Sequence, residues 1–256
     1  MTKRLNGSTI GLLTAFSLLV GIAAAQSGPS TSPTGGSQAK AASSSKGAAK
    51  SIRLEDATII VELNDTDDDA GLQVFLDGEP WSSMTVSRPG GRKILDVDAK
   101  GRLKNFGLTE LFSETNEPEF AELPLKKFKQ RFPEGRYTFV GRTIEGRKLI
   151  GKAKLSHDIP DGPQITSPAA GSTVSSNNLV ASWTPASQPG IEIEGYRAIV
   201  EREDPLRVFS VDLPASQTSV TIPSEFLEPG TDYKLEVQTI EVSGNQTISE
   251  ITFRVS

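Results

Sequence analysis

The carboxy-terminal half of the chain alternates apolar and polar residues in short runs, and this alternation constrains the fold more than any other feature. Gly, Pro or Asn residues separate each run from the next. A period of two places successive side chains on opposite faces of a β-strand. Many short strands joined by turns predict an antiparallel sandwich or barrel. The predicted strands are 179–183, 195–201, 207–213, 218–222, 232–241 and 248–255.

The segment "LEPGTDYKLEVQT" indicates which kind of sandwich this half forms. It resembles the E–F corner and F strand of a fibronectin type III domain, and the resemblance covers about 164–256. Trp183 and Tyr196 stand where that family has its strand-B tryptophan and a strand-C aromatic. The resemblance implies that Trp183 and Tyr233 are core residues and that Tyr233 forms a tyrosine corner. The matching positions in the segment are Leu227, Pro229, Gly230, Thr231, Tyr233, Leu235 and Val237.

The first half shows the same alternation, with one interruption. The segment "ELPLKKFKQRF" (122–132) spaces Leu125, Phe128 and Phe132 as in a helix, with basic residues between them. This half also resembles the leading domain of exported bacterial proteins that end in a fibronectin type III module, which implies no activity. The predicted strands are 57–63, 72–78, 84–87, 92–103 and 107–112, with a turn at 99–101.

The two halves share a short repeated pattern. "FPEGRYTFVGRTIEG" and "LEPGTDYKLEVQTIEVSG" both contain a Pro-to-Gly turn, a tyrosine, an alternating strand and "TIE". Such self-similarity favours two related sandwiches in tandem. We therefore predict an all-β chain of two tandem β-sandwiches. The first domain (51–162) is immunoglobulin-like with one short helix, and the second domain (163–256) is fibronectin type III.

The amino terminus has the three parts of a secretory signal peptide over residues 1–25. A basic start precedes an apolar run from Ile10 to Ala25, which ends in three small residues. The alternative, an uncleaved membrane anchor, is disfavoured because the run lacks the ~20 strongly apolar residues of a spanning helix. Residues 26–50 contain only Ser, Gly, Ala, Pro, Thr, Gln and Lys, which is typical of a disordered linker.

The amino-acid composition limits where the protein is expected to be located and which partners it is expected to bind. The chain has no cysteine, which excludes disulfides and thiol chemistry and fits a bacterial periplasm or cell surface better than a eukaryotic secreted module. Five Lys/Arg lie in residues 1–50, so 22 Lys/Arg face all 32 Asp/Glu in 51–256, a net charge of −10. A nucleic-acid partner is therefore not expected. We expect a periplasmic or extracellular protein without a transmembrane segment after signal cleavage.

The sequence offers weak candidates for catalysis. His157 is the only histidine, and it lies between Ser156 and Asp158, which cannot form a triad because strand neighbours point to opposite faces. A glycosidase needs only two carboxylates and is the enzyme class hardest to exclude. Trp81 is the one aromatic of the first domain that we consider for sugar stacking, although a core position is commoner. We predict no catalytic residue and no cofactor.

The segment "NDTDDDAG" (64–71) raises the question of a calcium site. Asp65, Asp67 and Asp69 have the spacing that begins an EF-hand loop, but Ala70 replaces the glycine and Leu76 replaces the glutamate of that motif. A looser calcium site remains open. We favour a solvated acidic turn between two strands and predict no metal site.

Together these features predict a non-catalytic binding or scaffold protein of the bacterial envelope, whose partner is a protein or a cell-envelope glycan. The alternative is a small carbohydrate-active or other hydrolytic enzyme. Loops on a rigid scaffold are where binding residues concentrate, so we expect specificity in the first domain. The features that we expect to carry it are the loop 113–123, the helix 122–132 and Trp81.

Overall fold

Fifteen strands and two short helices make up the regular structure of residues 51–256, which is the part of the chain that the computed structural model describes. The signal peptide and the linker predicted at 1–25 and 26–50 lie outside these residues. Within 51–256, no helix has the length and apolarity needed to cross a membrane.

The first domain contains seven strands and both helices. Its elements are β1 (Ile52–Arg53), β2 (Asp56–Asn64), β3 (Asp69–Ser87), β4 (Lys93–Asp98), α1 (Leu103–Phe106), β5 (Leu108–Glu114), α2 (Leu125–Arg131), β6 (Gly135–Thr143) and β7 (Lys148–Leu155).

The second domain contains only strands. They are β8 (Ile165–Ser167), β9 (Thr173–Val174), β10 (Val180–Trp183), β11 (Ile193–Arg202), β12 (Arg207–Pro214), β13 (Ser219–Thr221), β14 (Asp232–Glu241) and β15 (Gln246–Val255).

Two differences from the sequence expectations concern the first domain. The predicted strands 72–78 and 84–87 are parts of the single long strand β3, which has a register shift at Asp77–Trp81. It pairs with β2 before the shift, with β4 and β6 after it, and with β5 on both sides. Near this shift, Gly78 leaves room for the Leu54 side chain, because a Cβ there would lie 2.9 Å from Leu54 Cδ2. The prediction of one helix is wrong, because α1 begins at the end of the predicted strand 92–103.

Each domain has its own hydrophobic core. In the first, alternate residues of β3 and β6, among them Leu72, Leu76 and Phe139, are buried together with Phe128 of α2. This is the helix residue that the spacing predicted to face the core. In the second, Trp183 and Tyr196 are buried with an edge-to-face ring contact at 5.5 Å between centroids. Such pairs add stabilisation beyond the area that they bury.

The second core lies between two sheets. One sheet has three strands in the order β13-β10-β8, and the other includes β12-β11-β14-β15. At its edge, Tyr233 accepts a hydrogen bond from the Glu228 amide at 2.8 Å and donates one to the Phe226 carbonyl at 3.2 Å. These bonds confirm the predicted tyrosine corner.

The two domains share a sheet. Gln246–Ile248 of β15 pair in parallel with Glu62–Asn64 of β2, so that the strand order runs β1-β7-β6-β3-β2-β15-β14-β11-β12. The expectation of separate sandwiches placed end to end is therefore confirmed only in a coarser form. Residues 51–256 are mainly β with two short helices, and their sheets join at one edge.

Candidate functional site

The side chain of Asn245 closes the junction between the two domains. Its Oδ1 accepts a hydrogen bond from the Val61 amide at 2.8 Å, one position before β2 begins to pair with β15. Its Nδ2 donates to Ser156 Oγ at 2.8 Å and to the Asp158 carbonyl at 3.1 Å. Because Asn245 is only 1% exposed, these bonds replace water contacts that the groups would otherwise lose. The asparagine thus extends the ladder between the domains.

A second set of hydrogen bonds lies beside Asn245 and shows where the Ser156 side chain is used. The Ser156 and Ser243 hydroxyls are 2.7 Å apart, and Ser243 Oγ donates to the Glu241 carboxylate. His157 Nε2 lies 2.8 Å from the Phe132 carbonyl, to which it donates in the matching tautomer. The structure therefore brings Ser156 into the junction and His157 onto a loop carbonyl. It does not bring them together as nucleophile and base.

Three carboxylates converge near the same junction. Oxygens of Glu62, Glu114 and Glu117 all lie within 4.8 Å of one another. Gly71 pairs with Glu62 across the β2–β3 hairpin, and a Cβ there would lie 2.5 Å from Glu117 Oε1. Glycine at this position therefore makes room for the third carboxylate. Sequence reasoning missed the cluster because Glu62 of β2 lies far along the chain from Glu114 and Glu117.

Burial and mutual repulsion change the titration of these groups. Burial, with the neighbouring Glu114 and Glu117 carboxylates, raises the pKa of Glu62 to about 8. Burial, with Glu114 and Asp69 nearby, raises the pKa of Glu117 to about 7. Glu62 is 2% exposed and its hydrogen-bond partner is the Gln246 amide of β15. Protons shared in the cluster, or a divalent cation bound there, would relieve the repulsion.

The acidic turn 64–71 joins β2 to β3, as the strand pattern predicted. Asn64 Oδ1 accepts hydrogen bonds from the amides of Thr66 at 2.9 Å and Asp67 at 3.2 Å. Asp68 has a φ of 55°, a left-handed conformation that Asp and Asn tolerate better than most residues. Asn64 and Asp68 therefore supply the geometry of the turn.

We predict that this turn binds calcium weakly or not at all. Its asparagine side chain is already used in the turn, and it lacks the glycine and glutamate of the EF-hand motif. Calorimetric titration of residues 51–256 with calcium should show no saturable binding that depends on the turn, so Asp67→Ala should leave the trace unchanged. Micromolar affinity that disappears in Asp67→Ala would contradict the prediction.

Trp81 is not available for sugar stacking. It is fully buried in the first core, and its Nε1 donates to the Thr109 carbonyl at 3.2 Å. The expectation that Trp81 contributes to specificity is therefore wrong. The physical reason is that β3 carries it across the core at the register shift, with its indole facing the other apolar side chains.

A basic cleft lies between the β3–β4 turn and α2 and has a volume of about 920 Å³. Arg88 and Arg92 flank the turn, whose two glycines at 90 and 91 have φ values of 83° and 81°. The turn is closed by a hydrogen bond from the Arg88 amide to the Arg92 carbonyl at 2.9 Å. The remaining lining residues are Lys93, Ile94, Glu122, Leu123, Pro124, Lys127, Gln130, Arg131 and Phe132.

The sequence predicted one wall of this cleft, the helix, but not the turn that faces it. It placed a basic helix at 122–132, and α2 (Leu125–Arg131) confirms the helix within those bounds. It did not connect the helix with Arg88 and Arg92. The signal available was "RPGGR", a turn with arginines on both sides, but nothing local indicates what such a turn faces.

The other segment expected to carry specificity, the loop 113–123, is held by the rest of the first domain. The Phe120 amide donates to the Asp68 carbonyl at 2.6 Å, and Glu119 forms an isolated bridge with Asp69. The Thr115 hydroxyl accepts from the Leu72 amide at 3.0 Å. The loop thus presents Glu117 to the carboxylate cluster and ends at the basic cleft.

Comparison with known proteins identifies the second domain. The family model described as "Fibronectin type III domain" matches residues 163–255. No curated protein matches the chain significantly.

Among solved structures, a two-domain fibronectin type III segment of chicken tenascin is 15% identical, with a TM-score of 0.28, over 78% of this chain and 96% of that one. The fibronectin type III domain of human collagen α-1(XX) is 23% identical, with a TM-score of 0.27, over 38% of this chain and 83% of that one. The spore cortex lytic enzyme SleM of Clostridium perfringens is 18% identical, with a TM-score of 0.27, over 38% of this chain. The chain spans only 27% of the length of that enzyme.

Proposed function

We propose that this chain, whose residues 163–255 are a fibronectin type III domain, is a non-catalytic exported binding or scaffold protein of the bacterial envelope. The observation that carries the proposal is the junction of the two domains. A shared sheet and the buried Asn245 side chain hold them in one arrangement. A fixed arrangement suits a protein that presents a binding surface, because less conformational freedom is lost on binding.

We also infer that the first domain is an immunoglobulin-like sandwich related to the second. Tyr137 stands at the start of β6 and donates from its hydroxyl to the Pro133 carbonyl at 3.1 Å. This bond spans four residues, much as Tyr233 bonds back to residues before its own strand. The matching tyrosine bonds support the relationship that the sequence echo suggested.

The alternative function is a small carbohydrate-active or other hydrolytic enzyme. The observation that favours it is the Glu62 carboxyl, whose pKa is raised by burial and by neighbouring carboxylates, as in many general acids. Against it, Glu62 is 2% exposed and bonded to Gln246, so a glycosidic oxygen has no access to its carboxyl group. We therefore prefer the non-catalytic function.

The mass of the protein isolated from its natural source tests export by a cleaved signal peptide. We expect the mature protein to begin near Gln26, because the small residues before it suit signal peptidase cleavage. Intact-mass measurement on protein recovered from the envelope fraction should give a chain without residues 1–25. A full-length species embedded in the membrane would contradict export by a cleaved signal.

Binding is tested by affinity capture from envelope extracts with the mature chain. We expect one partner, protein or glycan, to be retained in stoichiometric amount and released unchanged. A panel of glycan and ester substrates incubated with the same preparation should show no turnover. Turnover that is lost in Glu114→Gln would overturn the proposal in favour of the hydrolase.

A further inference from the structure

The basic cleft carries four cations that form no ion pair within the described residues 51–256. Among residues 51–256, Arg88, Arg92, Lys127 and Arg131 form no ion pair, whereas the neighbouring Lys93 bonds to Asp96 at 2.9 Å. This contrast is notable because residues 51–256 carry a net charge of −10. Four free cations around one concavity of an acidic protein indicate a site for an anionic ligand.

The cleft has two facing walls of different chemistry. Lys127 and Arg131 are four residues apart on α2, so they lie on the same face of the helix. Arg88 and Arg92 stand on the opposite side, at the two ends of the closed β3–β4 turn. Guanidinium groups match the geometry of carboxylates and phosphates and can bind them with two parallel hydrogen bonds. A ligand with at least two separated anionic groups would engage both walls.

Three further residues indicate the remaining chemistry of the ligand. Glu122 is exposed in the same lining and forms no ion pair within residues 51–256, so it offers an acceptor to a donor group of the ligand. Gln130 supplies an amide, and the partly buried Phe132 supplies an apolar surface. Sugar rings present hydroxyl donors and apolar C–H faces together with any carboxylate that they carry. In an acidic peptide the charged side chains supply acceptors alone, and hydrogen-bond donors come from the backbone.

The net negative charge of residues 51–256 distinguishes further between the possible partners. A folded acidic protein or a nucleic-acid duplex would bring many negative charges within the ~10 Å over which the acidic surface acts. A single extended strand contacts the cleft alone and avoids most of this repulsion. We propose that the cleft between α2 and the β3–β4 turn binds a strand of carboxylated polysaccharide. The inference rests on the proposed binding function and names the partner class within it.

The test measures binding of the mature chain to oligogalacturonate by calorimetry, with neutral dextran and poly-glutamate as comparison ligands. We expect saturable binding to oligogalacturonate that weakens steeply with salt, and none to dextran. The double variant Lys127→Gln with Arg131→Gln should weaken binding at least about tenfold. The matched variant Arg102→Gln with Lys104→Gln removes the same charge from exposed positions outside the cleft lining, and its affinity should stay within about twofold.

Each other outcome overturns the inference. Equal loss of affinity in both double variants would mean that net charge, not the cleft, attracts the ligand. Poly-glutamate binding as tight as that of oligogalacturonate, lost in the cleft variant, would assign the cleft to acidic peptides. Absent glycan binding, with a captured envelope partner still retained, would refute this inference and leave the proposed function standing. Cleavage of the oligogalacturonate would instead refute the non-catalytic function.

Discussion

Replacing Asn245 with alanine is expected to lower the free energy of unfolding by about 3 kcal/mol and to separate the unfolding of the two domains. The change removes the acceptor of the buried Val61 amide and the donor of two bonds to Ser156 Oγ and the Asp158 carbonyl. A buried amide left without a partner keeps its full desolvation penalty. The three residue pairs of the shared ladder, the Ser156–Ser243 contact and the Glu62–Gln246 bond would remain to couple the domains, without the buried link that Asn245 supplies.

Differential scanning calorimetry of residues 51–256 measures both effects. The unaltered protein should unfold in one cooperative transition, and Asn245→Ala should give two transitions with the first at lower temperature. Asn177→Ala is the matched control, because Asn177 is exposed in a loop of the same domain. A single transition at an unchanged temperature in Asn245→Ala would show that the asparagine contributes nothing to the junction.

The second domain could be predicted because its signals are local. The turn, the tyrosine and the alternating strand occur within one segment, and the tyrosine corner is formed by residues five to seven positions apart. Trp183 and Tyr196 come from different strands, yet a family pattern that relates them exists. Sequence reasoning therefore placed the core of this domain and the role of Tyr233 correctly.

The junction could not be predicted, because it depends on contacts across the whole chain. Glu62 and Gln246 are 184 positions apart, and neither segment differs from an ordinary strand that alternates apolar and polar residues. Parallel pairing has no turn that fixes its register. The burial of polar residues along β2 and β15 is explained only by the pairing of these two strand edges.

For a related reason, only one wall of the basic cleft could be predicted from the sequence. Helical spacing predicted α2 and the direction of Phe128, and from these the exposed positions of Lys127 and Arg131 follow. Whether another cationic segment faces that helix is decided by how β3 and β4 pack against it. The sequence shows an arginine on each side of a turn, and the fold shows that the turn and the helix line one cleft.

The carboxylate cluster leads to a pH dependence with a definite sign. In the folded protein, the pKa of Glu62 rises from a usual value of 4.5 to about 8, so the folded state keeps a proton that the unfolded state releases. The contribution of Glu62 to stability is therefore fully present below about pH 4.5. It is lost progressively as the pH rises to about 8, because unfolding then allows the carboxylate to ionise in water. Glu117, with a pKa of about 7, and Asp69, with a pKa of about 6, act in the same direction.

We expect the protein to lose on the order of 3 kcal/mol of unfolding free energy between about pH 5 and pH 8, and Glu62→Gln to recover most of this loss at pH 8. Glutamine cannot ionise, and its amide oxygen can still accept the bond from Gln246 while its NH₂ faces the Glu114 and Glu117 carboxylates. Urea denaturation at several pH values, in the presence of a chelator, measures the slope. The matched control is Glu110→Gln, which changes an exposed glutamate on the strand that carries Glu114 and should leave the slope unchanged.

A stability that rises with pH, or a slope that Glu62→Gln preserves, would contradict proton sharing at this cluster. Loss of stability at pH 8 on adding the chelator alone would show instead that a divalent cation, not a proton, neutralises the three carboxylates.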